Sequence, residues 1–170
     1  MCLQTTWTAP KITRKDITVY KVLTPDNNDY SIAHPKYYTN GFQYKLQELY
    51  KTEIKEDTAY SSYDERAGNW RRELMQKKKS YKNIGQGFHS ANTVKRVIEE
   101  KISDELQYGY SIEEIIKDLL PFGVYECTIP KGAEYYKDET GLLVSSQIIV
   151  QRQLSEKELI VIYTETTKTN

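Results

Sequence analysis

Hydrophobic and polar residues alternate along several short segments of the chain, and this period of two is the pattern of a β-strand with one buried face. Residues 17–23 (ITVYKVL) are rich in β-branched and aromatic side chains, so we predict a strand there. In residues 41–54, Phe42, Tyr44 and Leu46 alternate with polar residues. We predict a short strand, a turn and a second strand over that segment.

The last third of the chain has the strongest strand composition. Residues 123–130 (GVYECTIP) alternate, with Tyr125, Cys127 and Ile129 on one side. Residues 142–151 (LLVSSQIIVQ) and 158–166 (ELIVIYTET) are rich in β-branched side chains, and we predict a strand over each. The intervening residues 131–141 are predicted to form a loop that ends at a glycine.

Two segments have the hydrophobic spacing of an amphipathic helix. The first covers residues 89–102, and either Ser90 or Asn92 is suited to cap its start. The second covers residues 111–120, with a capping-box pattern at its start and Pro121 after its end. The apolar stripe of the first helix consists of Val94, Val97, Ile98 and Ile102.

The predicted elements follow one another as strand, hairpin, polar segment, strand, two helices and three strands. Because the helices are grouped instead of alternating with strands, the order favours an α+β fold. We predict a single domain over residues 1–170 with a mostly antiparallel sheet, either continuous or split. Residues 55–82 are polar and are interpreted as an insertion or mobile segment, within which residues 69–80 have the pattern of a helix.

The composition limits the classes of function. The chain has 170 residues, which suits one domain, and its 24 Lys and Arg residues balance 24 Asp and Glu residues. This balance argues against a protein that coats nucleic acid or membranes through a basic surplus, but it is compatible with local basic patches. The 15 tyrosines are suited to face a ligand, a partner or a half-buried sheet.

The sequence also bears on location and redox chemistry. The chain has no apolar run of membrane length, and its first ten residues lack the basic and apolar regions of a signal peptide. Cys2 and Cys127 do not have metal-binding spacing and are too few for a disulfide framework. We therefore expect a cytoplasmic protein, in the host-cell cytoplasm if a phage encodes it, with no metal site and no membrane association.

The GFHS segment is the first candidate for a ligand site. Gly87 permits a sharp turn or the close approach of a ligand. His89 and Ser90 then lie where a strand meets the start of a helix, whose free N–H groups attract anions. The structural alternative is that Ser90 caps the helix and His89 bonds to a neighbouring loop.

The IPKGAEYY segment is the second candidate. Lys131, Tyr135 and Tyr136 are suited to hold a phosphate and to stack on a base. An ordinary junction between a strand and a loop is the alternative. In the first predicted strand, Tyr20 and Lys21 lie on opposite faces, so at most one of them is expected to contact a ligand.

These motifs resemble those of a recurring type of small protein in phages and in gut bacteria of the Bacteroides group. The shared features are a Tyr-Lys strand, an aromatic FxYxxxxxY segment, a Gly-Phe-His-Ser motif and an Ile-Pro-Lys-Gly-x-x-Tyr-Tyr motif, in this order. The resemblance covers residues 16–150. It implies a phage-type accessory protein and brings no established activity with it.

A more distant resemblance is to the mono-ADP-ribosyltransferase fold. It matches the early Tyr20-Lys21 strand, the Gly87 to Ser90 segment and the segment that begins at Ile129. The resemblance implies binding of NAD, cleavage of the bond to nicotinamide and a glutamate that holds the ribose hydroxyl, for which Glu134 and Glu126 are the candidates. The chain has no Glu-x-Glu pair after the last motif, so the resemblance supports a nucleotide-shaped cleft more than catalysis.

We therefore expect a binding protein for a nucleotide or an NAD-derived small molecule, and sequestration of a host signalling nucleotide is one use of such binding. One wall of the cleft is expected around Gly87 to Ser90 and another around Lys131 and the two tyrosines that follow. An active mono-ADP-ribosyltransferase-like enzyme is one alternative. A protein-interaction module without a small-molecule site, acting through tyrosine-rich patches, is the other.

Overall fold

The computed structural model describes residues 3–35, 42–56, 82–102 and 122–168, and these ranges contain thirteen strands and two helices. The helices are α1 (Val94–Ile102) and α2 (Glu156–Lys168). The strands are β1 (Leu3–Thr5), β2 (Lys11–Ile12), β3 (Ile17–Pro25), β4 (Ile32–Pro35), β5 (Tyr44–Lys45), β6 (Leu49–Lys51), β7 (Lys55–Glu56), β8 (Lys82–Gln86), β9 (Phe88–Ala91), β10 (Gly123–Ile129), β11 (Glu134–Lys137), β12 (Leu142–Ser145) and β13 (Gln147–Gln153).

Every strand pair within the described ranges is antiparallel. A small sheet has the strand order β1-β8-β7. A larger sheet has the order β2-β11-β12-β9-β3-β10-β13-β6, with β4 paired to β3 and β5 paired to β4. The predicted α+β fold with a mostly antiparallel sheet is confirmed. No helix in the described part of the chain is long and apolar enough to cross a lipid bilayer.

Six strands of the larger sheet form a circuit in which neighbouring strands pair, except β5 and β6, which are joined by a turn. It runs from β3 through β4, β5, β6, β13 and β10 back to β3, and the turn between β5 and β6 is tied to β13 by a bond from Gln47 N to Val150 O of 2.7 Å. Buried side chains from these strands, from β9 and β12 and from Ala133 pack into one cluster, the main core. The main core consists of Val19, Leu23, Ala33, Tyr44, Phe88, Tyr125, Cys127, Ile129, Ala133, Leu143, Ile148 and Val150.

The circuit has a fork at β3. Tyr20 pairs with Glu126 of β10 on one side and with Ala91 of β9 on the other. Leu23 also pairs with β10 on the first side, but on the second side its partner is β4. Strands β4 and β9 therefore share one edge of β3 and diverge between Tyr20 and Leu23, so the larger sheet is split at this point.

The two helices pack together on the opposite face of the sheet, as their apolar stripes require. In α1, Val94, Val97 and Ile98 are buried against residues of α2 and the sheet, which confirms the predicted stripe at these positions. The predicted caps were wrong. Thr93 caps the helix, because its hydroxyl accepts a bond of 3.1 Å from the N–H of Arg96.

Ser90 and Asn92 lie too far before α1 to cap it, because the helix begins at Val94 and Thr93 occupies the cap position. Ser90 belongs to β9, and Asn92 donates its main-chain N–H to Gly141 O at 2.9 Å. Residues 89–91, which were predicted to belong to the helix, lie in β9, so the strand continues further along the chain than the sequence pattern indicated.

The strand predicted over residues 158–166 was wrong, because these residues lie in α2. Ser155 and Glu158 form a capping box: the Ser155 N–H donates to Glu158 Oε2 at 2.8 Å, and the Glu158 N–H lies 3.4 Å from Ser155 Oγ. Leu159 is buried against α1. The cap and this packing outweigh the preference of the β-branched residues for a strand.

Other predictions were correct in part. Strand β3, the strand, turn and strand of β5 and β6, and β10 with its buried alternate residues are confirmed. The single strand predicted over residues 142–151 is two strands, β12 and β13, and the loop predicted over residues 131–141 contains β11. The helices predicted over residues 69–80 and 111–120, and most of the polar segment 55–82, lie outside the described residues.

Candidate functional site

The GFHS segment, residues 87–90, lies at the fork. Gly87 forms a corner there between the two sheets. Strand β8 belongs to the small sheet and β9 to the larger one, so the chain changes sheets at this glycine. Gly87 has a φ of 139°, which residues with a side chain rarely adopt, and a Cβ atom there would overlap with Val144 Cγ1. The corner therefore requires glycine for both conformation and space.

His89 spans this corner. Its Nδ1 lies 3.2 Å from Gly87 O and its Nε2 lies 3.4 Å from Ile84 O. Burial, and then the charge of Lys21, lower the pKa of His89 to about 4, so the ring is neutral at neutral pH. A neutral imidazole has one N–H to donate. His89 therefore holds the corner and does not supply a positive charge to an anion.

Lys21 connects β3 to β9 beyond the point where their main-chain pairing ends. Its ammonium group donates a hydrogen bond to the main-chain carbonyl oxygen of His89. Because Lys21 alternates with the buried residues Val19 and Leu23, its side chain leaves β3 on the face of the main core. A positive charge is thus located at the fork.

Ser90 faces the same side of the sheet as Lys21. It alternates with Phe88, a main-core residue, and lies opposite Leu143, another member of that core. Only 7% of Ser90 is exposed, and its buried hydroxyl has no hydrogen-bond partner among the described residues. A buried hydroxyl without a partner costs about 1–3 kcal/mol, so a ligand or water that bonds to it would stabilise the protein.

Tyr20 and Glu126 lie in one cross-strand row on the opposite face. Burial, and then the nearby Glu126 carboxylate, raise the pKa of Tyr20. Glu126 Oε2 is 3.5 Å from a guanidinium nitrogen of Arg152, which also forms an ion pair with Glu158 at 2.7 Å. The face that carries Glu126 is therefore not the face that carries Lys21 and Ser90.

The IPKG turn uses its own main-chain donors internally. The N–H of Lys131 donates to Asp16 Oδ1 at 2.8 Å, and the N–H of Gly132 donates to Thr13 O at 3.0 Å. The N–H of Ala133 lies 3.0 Å from the Thr13 hydroxyl oxygen. These N–H groups are occupied by the protein itself, which leaves the exposed Lys131 side chain as the part of the turn that can meet an anion.

Tyr135 and Tyr136 point to opposite faces of β11. The Tyr135 ring packs edge-on against Trp7 with centroids 5.6 Å apart, whereas Tyr136 is buried beneath β1 and β8. They cannot form one wall of a cleft together. Glu134 is exposed on the same strand, and its N–H donates to the Ser146 hydroxyl at 3.0 Å. The structure therefore places Lys21 and Ser90 on the same face of neighbouring strands, whereas Tyr135 and Tyr136 lie on opposite faces of β11.

The other reactive groups in the described ranges do not form a second candidate site. Burial raises the pKa of the Cys127 thiol to about 12, so the thiol is protonated and unreactive at neutral pH. No group of three His, Cys, Asp or Glu side chains within the described ranges could hold a metal ion. Arg152 and Thr13 were not predicted as site residues, since their partners are distant in sequence and no local motif marks them.

A scan against models of protein families found no match, and neither the curated proteins nor the solved structures contained a similar chain.

Proposed function

We propose that this chain binds a nucleotide or an NAD-derived small molecule at the fork between β4 and β9. The observation that carries the proposal is the buried, unpartnered hydroxyl of Ser90, which lies on the same sheet face as the Lys21 side chain. A phosphate oxygen can accept from the hydroxyl and is attracted by the ammonium group. Binding would thus satisfy a polar group that the free protein leaves unpaired.

The fork is a suitable position for such a ligand. Ligand sites often lie at switch points of a sheet, and side chains carried by rigid strands hold a ligand more precisely than side chains on loops. Lys21 and Ser90 each lie on a strand, and the hydrogen bond from Lys21 to His89 fixes the distance between these strands. The half-buried Lys21 therefore supports a pre-formed site.

The geometry favours binding over catalysis. A transferase of the type that the sequence resembles needs a carboxylate that holds the ribose. In this chain Glu126 is paired with Arg152 on the other face of the sheet, and Glu134 is exposed at β11. His89 is neutral and contacts main-chain carbonyl groups. A phage-type accessory protein could use such binding to sequester a signalling nucleotide of its host.

Isothermal titration against a panel of nucleotides tests the proposal. The panel should contain NAD, ADP-ribose, mononucleotides and cyclic dinucleotides. We expect at least one to bind, and we expect Lys21→Met to weaken it by about tenfold, as loss of a charge-assisted contact predicts. Lys51→Met, which removes an exposed lysine on β6, is the matched control and should bind normally. Absence of binding by the whole panel contradicts the proposal.

The transferase alternative has its own readout. If the chain releases nicotinamide from NAD, and Glu126→Gln or Glu134→Gln abolishes the release, catalysis replaces binding as the better explanation. Binding of NAD without any release of nicotinamide supports the proposal as stated.

One observation favours the protein-interaction alternative. Tyr30 is 84% exposed on the loop between β3 and β4. This loop is fixed by Asp26 Oδ1, which accepts the N–H of Asn28 at 2.8 Å, and by Asp29 Oδ1, which accepts the N–H of Ser31 at 2.9 Å. A rigid loop that presents a tyrosine is typical of a binding anchor. If the chain binds no nucleotide, and Tyr30→Ala abolishes its binding to a host protein, this alternative holds.

A further inference from the structure

The fold gathers cationic side chains at one corner, formed by residues 11–16 and the turn at residues 130–133. The two segments are joined by Thr13, whose N–H donates to Ala133 O at 2.9 Å and whose hydroxyl donates to Pro130 O at 2.6 Å. Asp16 completes the join by accepting the N–H of Lys131. The corner, here called the basic corner, exposes Lys11, Arg14, Lys15 and Lys131.

The charge of the basic corner is not neutralised by ion pairs. None of its four cationic side chains forms an ion pair with a residue in the described ranges. Asp16 and Glu134 are the carboxylates that belong to these two segments and the start of β11, and Asp16 Oδ1 already accepts a main-chain N–H. A chain with balanced overall charge thus has a local basic surplus.

Apolar and aromatic surface adjoins these charges. The Lys11 ammonium lies 4.0 Å from the centroid of the Trp7 ring, and the edge-on contact with Tyr135 supports that ring from another direction. Ile12, the next residue of β2, is 56% exposed on the other face of the strand. Since the Lys11 ammonium rests on a neutral ring and not on a carboxylate, its charge stays available to an anion.

We propose that the basic corner binds single-stranded nucleic acid. A groove or edge that combines cations for the backbone with aromatic and apolar surface for the bases is the common arrangement in proteins that bind single strands. The four cations come from two segments, residues 11–15 and the turn that carries Lys131, so they are suited to several phosphates more than to one. This favours an extended polyanion over a single small anion. The inference does not depend on the nucleotide site at the fork.

Fluorescence anisotropy with labelled single strands of about 20 nucleotides tests the inference. Oligo(dT) and oligo(U) distinguish DNA from RNA, and binding by either one supports it. With up to four phosphate contacts, log K should fall with log salt with a slope of about −2 to −3. The triple variant Arg14→Glu, Lys15→Glu, Lys131→Glu should weaken binding by about tenfold or more at low salt.

The matched control reverses the same number of exposed lysines elsewhere, at Lys45, Lys51 and Lys55. It should retain affinity within about twofold, and circular dichroism should show both triple variants folded. Three results overturn the inference: no binding of either oligonucleotide at low salt, equal losses in both triple variants, or equal affinity for poly-glutamate or for a duplex of the same length. None of these results bears on the site at Lys21 and Ser90.

Discussion

The Lys21 ammonium donates a hydrogen bond to the main-chain carbonyl oxygen of His89, across the fork where β3 and β9 diverge. Hydrogen bonds that involve a charged group contribute more than neutral ones. We expect Lys21→Met, which keeps the apolar stem but removes the donor, to lower the free energy of unfolding by about 2 kcal/mol. Urea denaturation monitored by circular dichroism measures this change.

Lys15→Met is the matched control for stability, because Lys15 is exposed and forms no ion pair with a described residue. It should change the free energy of unfolding by less than about 0.5 kcal/mol. If both variants are equally stable, the contact between Lys21 and His89 does not hold the two strands together.

His89 should make stability depend on pH. Its folded pKa, about 4, lies below the ordinary value of 6.5, so the unfolded chain takes up a proton first as the pH falls. This contribution is complete above pH 6.5 and is lost progressively down to about pH 4, by roughly 3 kcal/mol. The difference in unfolding free energy between wild type and His89→Gln, followed across this range, isolates it from other titrating groups.

Proton NMR gives an independent check on His89. Its ring resonances should stay constant from pH 8 to pH 5.5, since the ring is already neutral there. A midpoint near 6.5 would show that the ring is exposed to solvent and is not engaged at the corner.

The corner at Gly87 should be more sensitive than other glycine positions. Gly87→Ala places a Cβ against Val144 and forces a residue with a side chain to adopt a φ of 139°, so we expect a loss of about 3 kcal/mol. Gly132→Ala has the strain of a positive φ but no atom within 4 Å of its Cβ, and we expect a loss of about 1 kcal/mol. Thermal unfolding of the two variants compares them. Equal losses would mean that space is not limiting at the corner.

Glu158 should contribute to stability at the start of α2. The N–H of Ser155, then Arg152 and the Ser155 hydroxyl, lower the pKa of Glu158 from 4.5 to about 2. Its folded pKa is below the unfolded value, so the contribution is present above pH 4.5 and is lost as the pH falls toward 2. The melting temperature of Glu158→Gln should therefore depend less on pH in this window than that of the wild type. Glu156→Gln, in the same helical turn, should retain the wild-type pH dependence.

The parts of the fold that depend on local pattern could be predicted from the sequence. Tyr125, Cys127 and Ile129 alternate and are buried together, and Val94 and Val97 share the buried face of α1. In each case the period of the hydrophobic residues determines which face is buried, whatever the neighbouring elements are.

The strand predicted over residues 158–166 shows where composition misleads. β-Branched residues favour strands only weakly, and the capping pair Ser155 and Glu158 was present in the sequence as an S-x-x-E signal. For the start of α1, the decisive cap was Thr93, one residue beyond the predicted Asn92, because the pairing of β9 with β12 extends the strand.

The candidate site could be predicted only in part. Lys21 and Ser90 were both named from local motifs, but their shared face depends on the pairing of Tyr20 with Ala91, which joins residues distant in the chain. The wall expected from the IPKGAEYY segment does not form, because alternation along β11 places Tyr135 and Tyr136 on opposite faces. Contact of Lys21 and Ser90 with a ligand stays a prediction, which the binding experiments test.

We propose that the Ser90 hydroxyl serves a ligand and does not stabilise the fold. Ser90→Ala removes a buried hydroxyl without a partner, so the free energy of unfolding should stay the same or rise by about 1 kcal/mol. Ser145 is the matched control, because it is also buried but its hydroxyl donates to Gln147 O at 2.9 Å. Ser145→Ala should cost about 1 kcal/mol and leave ligand binding unchanged.

The most direct measurement is therefore the pair of stability and nucleotide affinity for Ser90→Ala, made beside Ser145→Ala. We predict that Ser90→Ala is as stable as the wild type or more so, and that it binds the ligand found by titration about tenfold more weakly. A variant that binds with unchanged affinity, or that loses as much stability as Ser145→Ala, would contradict the proposed site.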